Sequence, residues 1–296
     1  MTRAILTLLL TGVASAGLAQ QRYDETKPAR PDGLVEIECS AGVIRVVAWD
    51  RDEIQVSTDT QRGDVVEFEV QGSRASIDLE NEGHWHGGGS HSGSELAVKV
   101  PRGSRLEIDA STNASVSVSG VSGRVSAEAV NGDITLQGVS GEVDAETVNG
   151  SIEVDGGAPW VRAESVNGRV LIRGASGAVE AGTVNGRLEV TGGATFDRAR
   201  LEVVNGRILF EGRLSGEALL EVESVAGDVE LVLPGDVSAD FRISSFSGEI
   251  DNDFGQRAER TSRWTTEKEL HFVQGGGGAK VEVHTLSGDV RLRKQP

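Results

Sequence analysis

Three histidines in a glycine-rich stretch are the clearest candidate metal ligands of this chain. His84, His86 and His91 lie in the segment EGHWHGGGSHSG, residues 82–93. Imidazole nitrogens bind Zn²⁺, Cu²⁺ and Ni²⁺, and short His-rich tracts use this chemistry. A structural zinc site normally has four ligands at more regular spacing. The sequence therefore favours an exposed loop with incidental histidines over a metal site.

Carboxylates recur at regular intervals in the middle of the chain and could contact a cation or a sugar. They stand three residues before a repeated Asn-Gly or related pair, with glycine once in their place: Glu128, Glu146, Glu164, Gly182, Glu202 and Glu223. On stacked strands these carboxylates would lie about 4.8 Å apart, where like charges repel each other. We expect Arg169, Arg187 and Arg207, which follow the Asn-Gly pairs, to offset this repulsion in part. The alternative is a charged rim that discourages strands from pairing edge to edge.

The side chains that nucleophilic catalysis requires are scattered. Ser122 and Ser176 lie in Ser-Gly turns, neither of which has the G-x-S-x-G pattern, and only His271 and His284 lie outside the His-rich tract. Cys39 is the only cysteine, so the chain has no intrachain disulfide, and its alternating surroundings predict a buried, inert thiol. We expect no catalytic residue, no enzyme activity and no cofactor.

A repeat of about 18 residues determines where these candidates stand. Val-Asn-Gly recurs in steps of 18, 18, 18 and 20 residues, with its asparagines at Asn131, Asn149, Asn167, Asn185 and Asn205. Ser-Gly pairs divide most repeats into halves of about nine residues, and apolar residues alternate with polar ones inside each half. Alternation predicts strands, and a fixed period of this length predicts stacked repeats.

Two all-β architectures are compatible with this pattern. Asn-Gly between alternating segments is typical of antiparallel hairpins, which would give a sandwich. The constant register favours a parallel β-solenoid of 18–21-residue coils with Asn-Gly and Ser-Gly turns. In such a solenoid the five repeat asparagines would form an internal ladder, each amide bonding to the next. We predict the solenoid, with few helices.

The N-terminus has the features of a signal peptide. Arg3 is followed by an apolar stretch at residues 4–13 and by small residues up to Ala19, the expected cleavage site. The apolar stretch is shorter than the roughly 20 residues of a membrane span. We therefore expect an exported protein, located in the periplasm, at the cell surface or outside the cell.

The rest of the chain divides into zones that differ in regularity. We predict five segments: a signal peptide at 1–19, a flexible lead-in at 20–33, an irregular β N-terminal cap with first coils at 34–109, regular solenoid repeats at 110–233, and irregular C-terminal coils with a cap at 234–296. Trp49 and Cys39 are expected to cover the first coil, and Trp264 and Phe272 the last one.

The overall charge limits the possible partners. The net charge is −17, with 46 acidic and 29 basic residues. Nucleic acids and anionic lipid surfaces attract basic patches, so neither is an expected partner. The same charge favours a monomer.

The order of several short motifs resembles a family of exported bacterial proteins known as putative adhesins, the domain of unknown function 4097. The segment AGVIRVVAWDRDE at residues 41–53 is similar to its opening strand pair, although Ala48 replaces the usual glycine. VPRGS at residues 100–104 resembles the junction into the repeats, and the stretch 276–290 its closing segment. The resemblance covers nearly the whole mature chain. It implies a β-solenoid-like fold and an envelope location, and it supplies no catalytic residues.

Two hypotheses for the function follow. The first is a non-catalytic envelope scaffold or adhesin-like interaction module that presents a regular face to a protein or glycan of the cell envelope. The alternative is an exported protein that binds metal through the His84, His86 and His91 loop, or contacts carbohydrate through the acidic column.

Overall fold

The protein consists of β-strands and turns wherever the structure describes it. The computed structural model describes residues 21–60, 64–81, 95–193, 195–262, 264 and 266–295. Within these ranges there are 24 strands and no helix. The prediction of an all-β protein is confirmed. The described part of the chain accordingly contains no helix long and apolar enough to cross a membrane.

Nine strands precede the regular repeat. They are β1 (Gln21–Pro28), β2 (Leu34–Cys39), β3 (Ala41–Trp49), β4 (Glu53–Thr60), β5 (Asp64–Gln71), β6 (Arg74–Asn81), β7 (Glu95–Pro101), β8 (Arg105–Ala110) and β9 (Asn113–Ser119). Strands β2 to β7 coincide closely with the alternating segments of the sequence, because inward apolar residues there follow the two-residue period of a strand.

The repeat region forms short paired strands that later merge into long ones. They are β10 (Val125–Asn131), β11 (Ile134–Gln137), β12 (Val143–Asn149), β13 (Ile152–Asp155), β14 (Trp160–Asn167), β15 (Val170–Arg173), β16 (Gly177–Thr191), β17 (Thr195–Glu211) and β18 (Arg213–Pro234). The last three run through the Asn-Gly or Ala-Gly corner without interruption, so one strand there replaces two.

Six strands complete the chain. They are β19 (Ala239–Ser247), β20 (Ile250–Asn252), β21 (Glu259–Arg260), β22 (Lys268–Gln274), β23 (Ala279–Ser287) and β24 (Val290–Gln295).

The repeat strands pair in parallel and in register. Val125 lies opposite Val143, which lies opposite Val161, and the asparagines pair in the same way. The first ladder contains β8, β10, β12, β14 and the N-terminal halves of β16 to β18. The second ladder contains β9, β11, β13, β15 and the C-terminal halves of the same long strands. The two ladders meet at the Asn-Gly corners.

A single apolar core lies between the two ladders. Val125 and Ala127 contribute to it from the first ladder, Ile134 and Leu136 from the second, and all four are fully buried. Because successive side chains of a strand point to opposite faces, the polar residues between them face outward. The interior is thin, and small aliphatic side chains fill most of it.

Glycines at the corners allow adjacent repeats to approach closely. A Cβ atom added to Gly150 would lie 2.0 Å from the carbonyl oxygen of Gly132, and one on Gly168 would lie 1.9 Å from that of Gly150. The buried hydroxyls of Thr147 and Ser165 donate to the same two carbonyl oxygens, at 3.1 and 2.9 Å. The corner therefore requires glycine because no space remains for a side chain.

The terminal strands do not stack in the order of the sequence. The coil formed by β2 and β3 lies between β6 and β7 on one side and β8 and β9 on the other. At the other end, β23 lies between β18 and β19, and β24 between β18 and β20. The last coil of the chain, formed by β23 and β24, thus lies between two coils that precede it in the sequence. The repeat spacing carries no information about this order.

Antiparallel strands lie at both ends. β4 pairs with β1 and β7, β5 pairs with β6, and β22 pairs with β19 and β21. β1 occupies most of the segment 20–33, for which the sequence predicts a flexible lead-in, so the structure differs there. Tyr23 packs partly against the core, and the Lys27 ammonium contacts both the Phe68 ring and its carbonyl oxygen. These contacts order a segment that the sequence pattern alone does not identify as a strand.

The residues predicted to cover the first and last coils differ in how far they are buried. Phe272 is buried and stacks on Phe241 with 4.5 Å between ring centroids. Trp264 is 82% exposed. Trp49 is partly exposed, and its indole nitrogen donates to the Glu53 carbonyl at 2.7 Å. Cys39 is buried in the core, and burial raises the pKa of its thiol, in keeping with a structural residue.

Candidate functional site

The repeated carboxylates form a column on the outer face of the first ladder. Register pairing places them in one line, of which eight positions line the groove: Asp109, Glu128, Glu146, Glu164, Gly182, Glu202, Glu223 and His284. We call this line the acidic column. Gly182 is its only interruption by a residue without a side chain, and His284 replaces the carboxylate at its end.

A second column, of aliphatic side chains, runs beside the acidic column. Each member stands two residues after a member of the acidic column and so faces the same side, with between 38% and 46% of its surface exposed: Val130, Val148, Val166, Val184, Val204 and Val225. We call this line the valine column. Sequence reasoning missed it, although the parity was readable: a valine two residues after an outward glutamate must also face outward.

The two columns border a groove along the stack of strands. The groove has a volume of about 1080 Å³, and its floor is formed by the residues between the columns, such as Ala129, Thr147, Ser165 and Thr183. Leu286 extends the aliphatic wall beside His284. Eight stacked positions correspond to a length of about 34 Å at the usual strand separation.

The groove is strongly acidic. Seven carboxylates line it, against one guanidinium, that of Arg200; the carboxylates are Asp109, Glu128, Glu146, Glu164, Glu180, Glu202 and Glu223. Arg200 contacts Glu202 at 2.5 Å. Arg162, at the rim, contacts Glu146 at 2.8 Å and Glu164 at 3.0 Å. These pairs neutralise the column in part and leave a negative surface.

The arginines that offset the acidic column are not those expected from the sequence. Arg187 pairs with Glu189 at 3.2 Å, and Arg207 lies 3.9 Å from Asp228, both around the corner from the groove. Arg162 and Arg200 make the contacts instead. They lie two residues before column members on the same strands and therefore face the same side.

Glu146 is the column member whose protonation is most clearly perturbed. Partial burial raises the pKa of its carboxyl and outweighs the attraction of Arg162, while the neighbouring carboxylates of Glu164, Asp144 and Glu128 raise it further. The folded state therefore binds this proton more tightly than the unfolded state does. The resulting stabilisation is present at acidic pH and is lost as the pH rises through the folded-state pKa.

Glu146→Gln is accordingly expected to raise the thermal midpoint of unfolding at pH 7, because the repelled charge is gone. The difference in thermal midpoint between the variant and the natural protein should shrink as the pH falls towards the ordinary pKa range of a carboxyl group. Calorimetry between pH 4 and pH 8 measures this, with Glu217→Gln as a control that removes an exposed carboxylate outside the groove. A difference that grows on acidification would contradict the assigned cause.

The repeat asparagines form a hydrogen-bonded ladder at the corner. The side-chain amide of Asn149 donates to Asn131 at 2.8 Å, Asn167 to Asn149 at 2.9 Å, Asn185 to Asn167 at 2.9 Å and Asn205 to Asn185 at 3.2 Å. The sequence analysis predicts that this ladder is internal. In the structure the five asparagines are exposed. The valine of each Val-Asn-Gly triplet stands next to them on the surface as well.

Exposure lowers the cost that we expect from breaking the ladder. Asn167→Leu removes one donated and one accepted bond and should lower stability by about 1 kcal/mol, since water can replace the lost partners. Asn205→Leu removes a single donated bond to Asn185 and should cost less. Denaturant titrations of the two variants measure the difference. Equal stability of Asn167→Leu and the natural protein would mean that the ladder only accompanies the glycine corner.

The predicted histidine site lies outside the described residues. His84, His86 and His91 fall in the range 82–94, which the structure does not describe. Within the described ranges, no group of three or more His, Cys, Asp or Glu side chains is placed to hold a metal ion. His284 is engaged with Ser244, at 2.8 Å between Nδ1 and Oγ, and His271 with Asp240, at 3.0 Å.

Two solved structures are similar to this chain. A putative adhesin from Parabacteroides merdae ATCC 43184 is 8% identical, with 92% of this chain and 96% of that chain covered and a TM-score of 0.48. A putative adhesin from Bacteroides fragilis NCTC 9343 is 9% identical, with 93% and 98% covered and a TM-score of 0.44. No curated protein shows significant similarity to the chain.

The family resemblance predicted from the motif order is confirmed by the sequence model of one family. This model matches residues 35–293, which include both ladders and the groove. The chain therefore belongs to the Toastrack DUF4097 family.

Proposed function

We propose that this protein is a non-catalytic, exported interaction module of the cell envelope, and that the groove between the acidic and valine columns is its binding face. In this proposal the two in-register ladders are the two sides of a β-solenoid built from 18–21-residue coils. The observation that carries the proposal is the pairing of a carboxylate with an exposed valine on five of six successive coils, over about 24 Å.

The exposed valines support a binding role because none of them belongs to the buried core. The neighbouring outward column is charged, and polar side chains at the valine positions would leave the core unchanged. A contiguous exposed apolar strip is typical of an interaction site. The flanking carboxylates keep the protein in solution when no partner covers this strip.

The envelope location is supported by the N-terminal sequence. Arg3, the apolar residues 4–13 and the small residues up to Ala19 have the order of a secretory signal. A rigid stack with a long regular face suits a partner that is itself extended.

Site-specific photocrosslinking tests the proposal. A benzophenone amino acid placed at Val166 lies in the groove, whereas the same residue at Asp155 lies on the exposed end of β13 in the second ladder. We expect irradiation with envelope extract to give discrete adducts from position 166 only. Equal labelling from both positions, or none from position 166, would refute the groove as the binding face.

A further inference from the structure

We infer that the occupant of the groove is an extended polypeptide segment with regularly spaced Lys or Arg side chains and short aliphatic residues between them. This inference rests on the proposed function of the groove and adds the chemical class of its ligand. It follows from three properties of the groove: its hydrogen-bonded floor, its charge and its axial spacing.

The floor of the groove cannot pair with a ligand backbone. Ala129 and Thr147 are register partners within the first ladder, and the corner amides are bonded as well; the Gly150 nitrogen, for example, donates to the Asn167 carbonyl at 3.2 Å. A ligand therefore cannot add as another strand here. It must lie across the strands, along the stack, and be recognised through side chains.

Charge complementarity selects a cationic ligand. Seven carboxylates and one guanidinium line the groove, so a phosphate-bearing or acidic ligand would be repelled. The aliphatic wall adds a need for apolar groups at the same spacing, because five of the coils present a valine beside a carboxylate. Basic and aliphatic side chains in alternation meet both requirements.

The axial spacing favours the polyproline II conformation. Three residues of such a segment span about 9.3 Å, close to the roughly 9.6 Å between every second coil. A basic residue at every third position can therefore stay in register with alternate members of the acidic column. Glu128, Glu164 and Glu202 form an unbroken alternate set, whereas Gly182 interrupts the other set.

A synthetic peptide provides the test. The probe is (Lys-Pro-Val)₄, which spans about 37 Å as polyproline II, and its control is (Glu-Pro-Val)₄. We expect calorimetric titration of the mature protein to show saturable binding of the first peptide at one site and none of the second. Absence of saturable binding of the lysine peptide, or comparable binding of both, would overturn the inference.

Matched triple variants locate the binding. The first variant removes the alternate set and combines Glu128→Gln, Glu164→Gln and Glu202→Gln. The second variant removes as many carboxylates from the second ladder and combines Glu153→Gln, Glu189→Gln and Glu230→Gln. We expect the first to weaken binding at least about tenfold, from three contacts of modest strength each, and the second by less than about twofold. Equal weakening would show a diffuse charge effect and overturn the inference.

The outcomes separate this inference from the proposed function. If crosslinking labels the groove while the lysine peptide does not bind, the groove remains the binding face and its ligand belongs to another class, such as a glycan. Sedimentation that shows self-association blocked by the triple change at Glu128, Glu164 and Glu202 would assign the groove to a second copy of the chain, and would also overturn the inference. Thermal melts of both triple variants verify that they fold.

Discussion

Replacing Gly168 with alanine is expected to destabilise the protein by about 3 kcal/mol, the upper part of the range for forcing atoms into filled space. The added Cβ would lie 1.9 Å from the carbonyl oxygen of Gly150 and 3.0 Å from the hydroxyl of Ser165. Relief requires separation of two adjacent coils, which would weaken the ladder bonds on both sides of the corner. The thermal midpoint should fall by roughly 6–12 °C.

Gly157→Ala is the matched control for this effect. Gly157 lies outside the corners, and an added Cβ there would meet no atom within 4 Å. Its stability should stay within about 0.5 kcal/mol of the natural protein. If both glycine variants melted alike, close approach at the corner would not be the reason for the repeated Asn-Gly.

Removal of residues 20–109 is expected to cause aggregation or ordered oligomerisation of the remaining chain. The deletion removes β2 and β3, which lie against β8 and β9, and nearly all of β8. β9 and β10 would then present unpaired parallel edges and the apolar interior that Val116 and Val125 line. Exposed edges of this kind pair with other chains.

Light scattering of the 110–296 fragment measures this outcome, with the full mature protein as the control. We expect the mature protein to be monomeric and the fragment to form larger species. A soluble, monomeric fragment would mean that residues 34–109 form an independent domain and not a cap.

The repeat made much of the fold predictable. A constant offset of 18 residues places Val125, Val143 and Val161 in one line, and the two-residue period tells which of their neighbours face inward. Both statements depend only on local geometry, so the sequence is sufficient for them. The pairing of Glu128, Glu146 and Glu164 in the acidic column follows from the same offset.

Other parts of the fold depend on long-range packing that no period encodes. The insertion of β23 between β18 and β19 brings together residues about 60 positions apart, such as Leu220 and Val281. The strand β1 exists because β4 offers it an edge, and its own sequence is largely polar. The far end of the groove depends on the same insertion, because β23 places His284 opposite Glu223 and adds Leu286 to the lining.

The central claim, that the groove is the binding face, is tested most directly by the methyl spectrum of the protein labelled at valine. On addition of envelope extract, we expect the signals of the valine column to shift or broaden. Val43 and Val47 on β3, with 37% and 38% exposure, are as accessible as the column and should not change. Changes at Val43 and Val47 equal to those of the valine column, or a column that stays unperturbed, would contradict the claim.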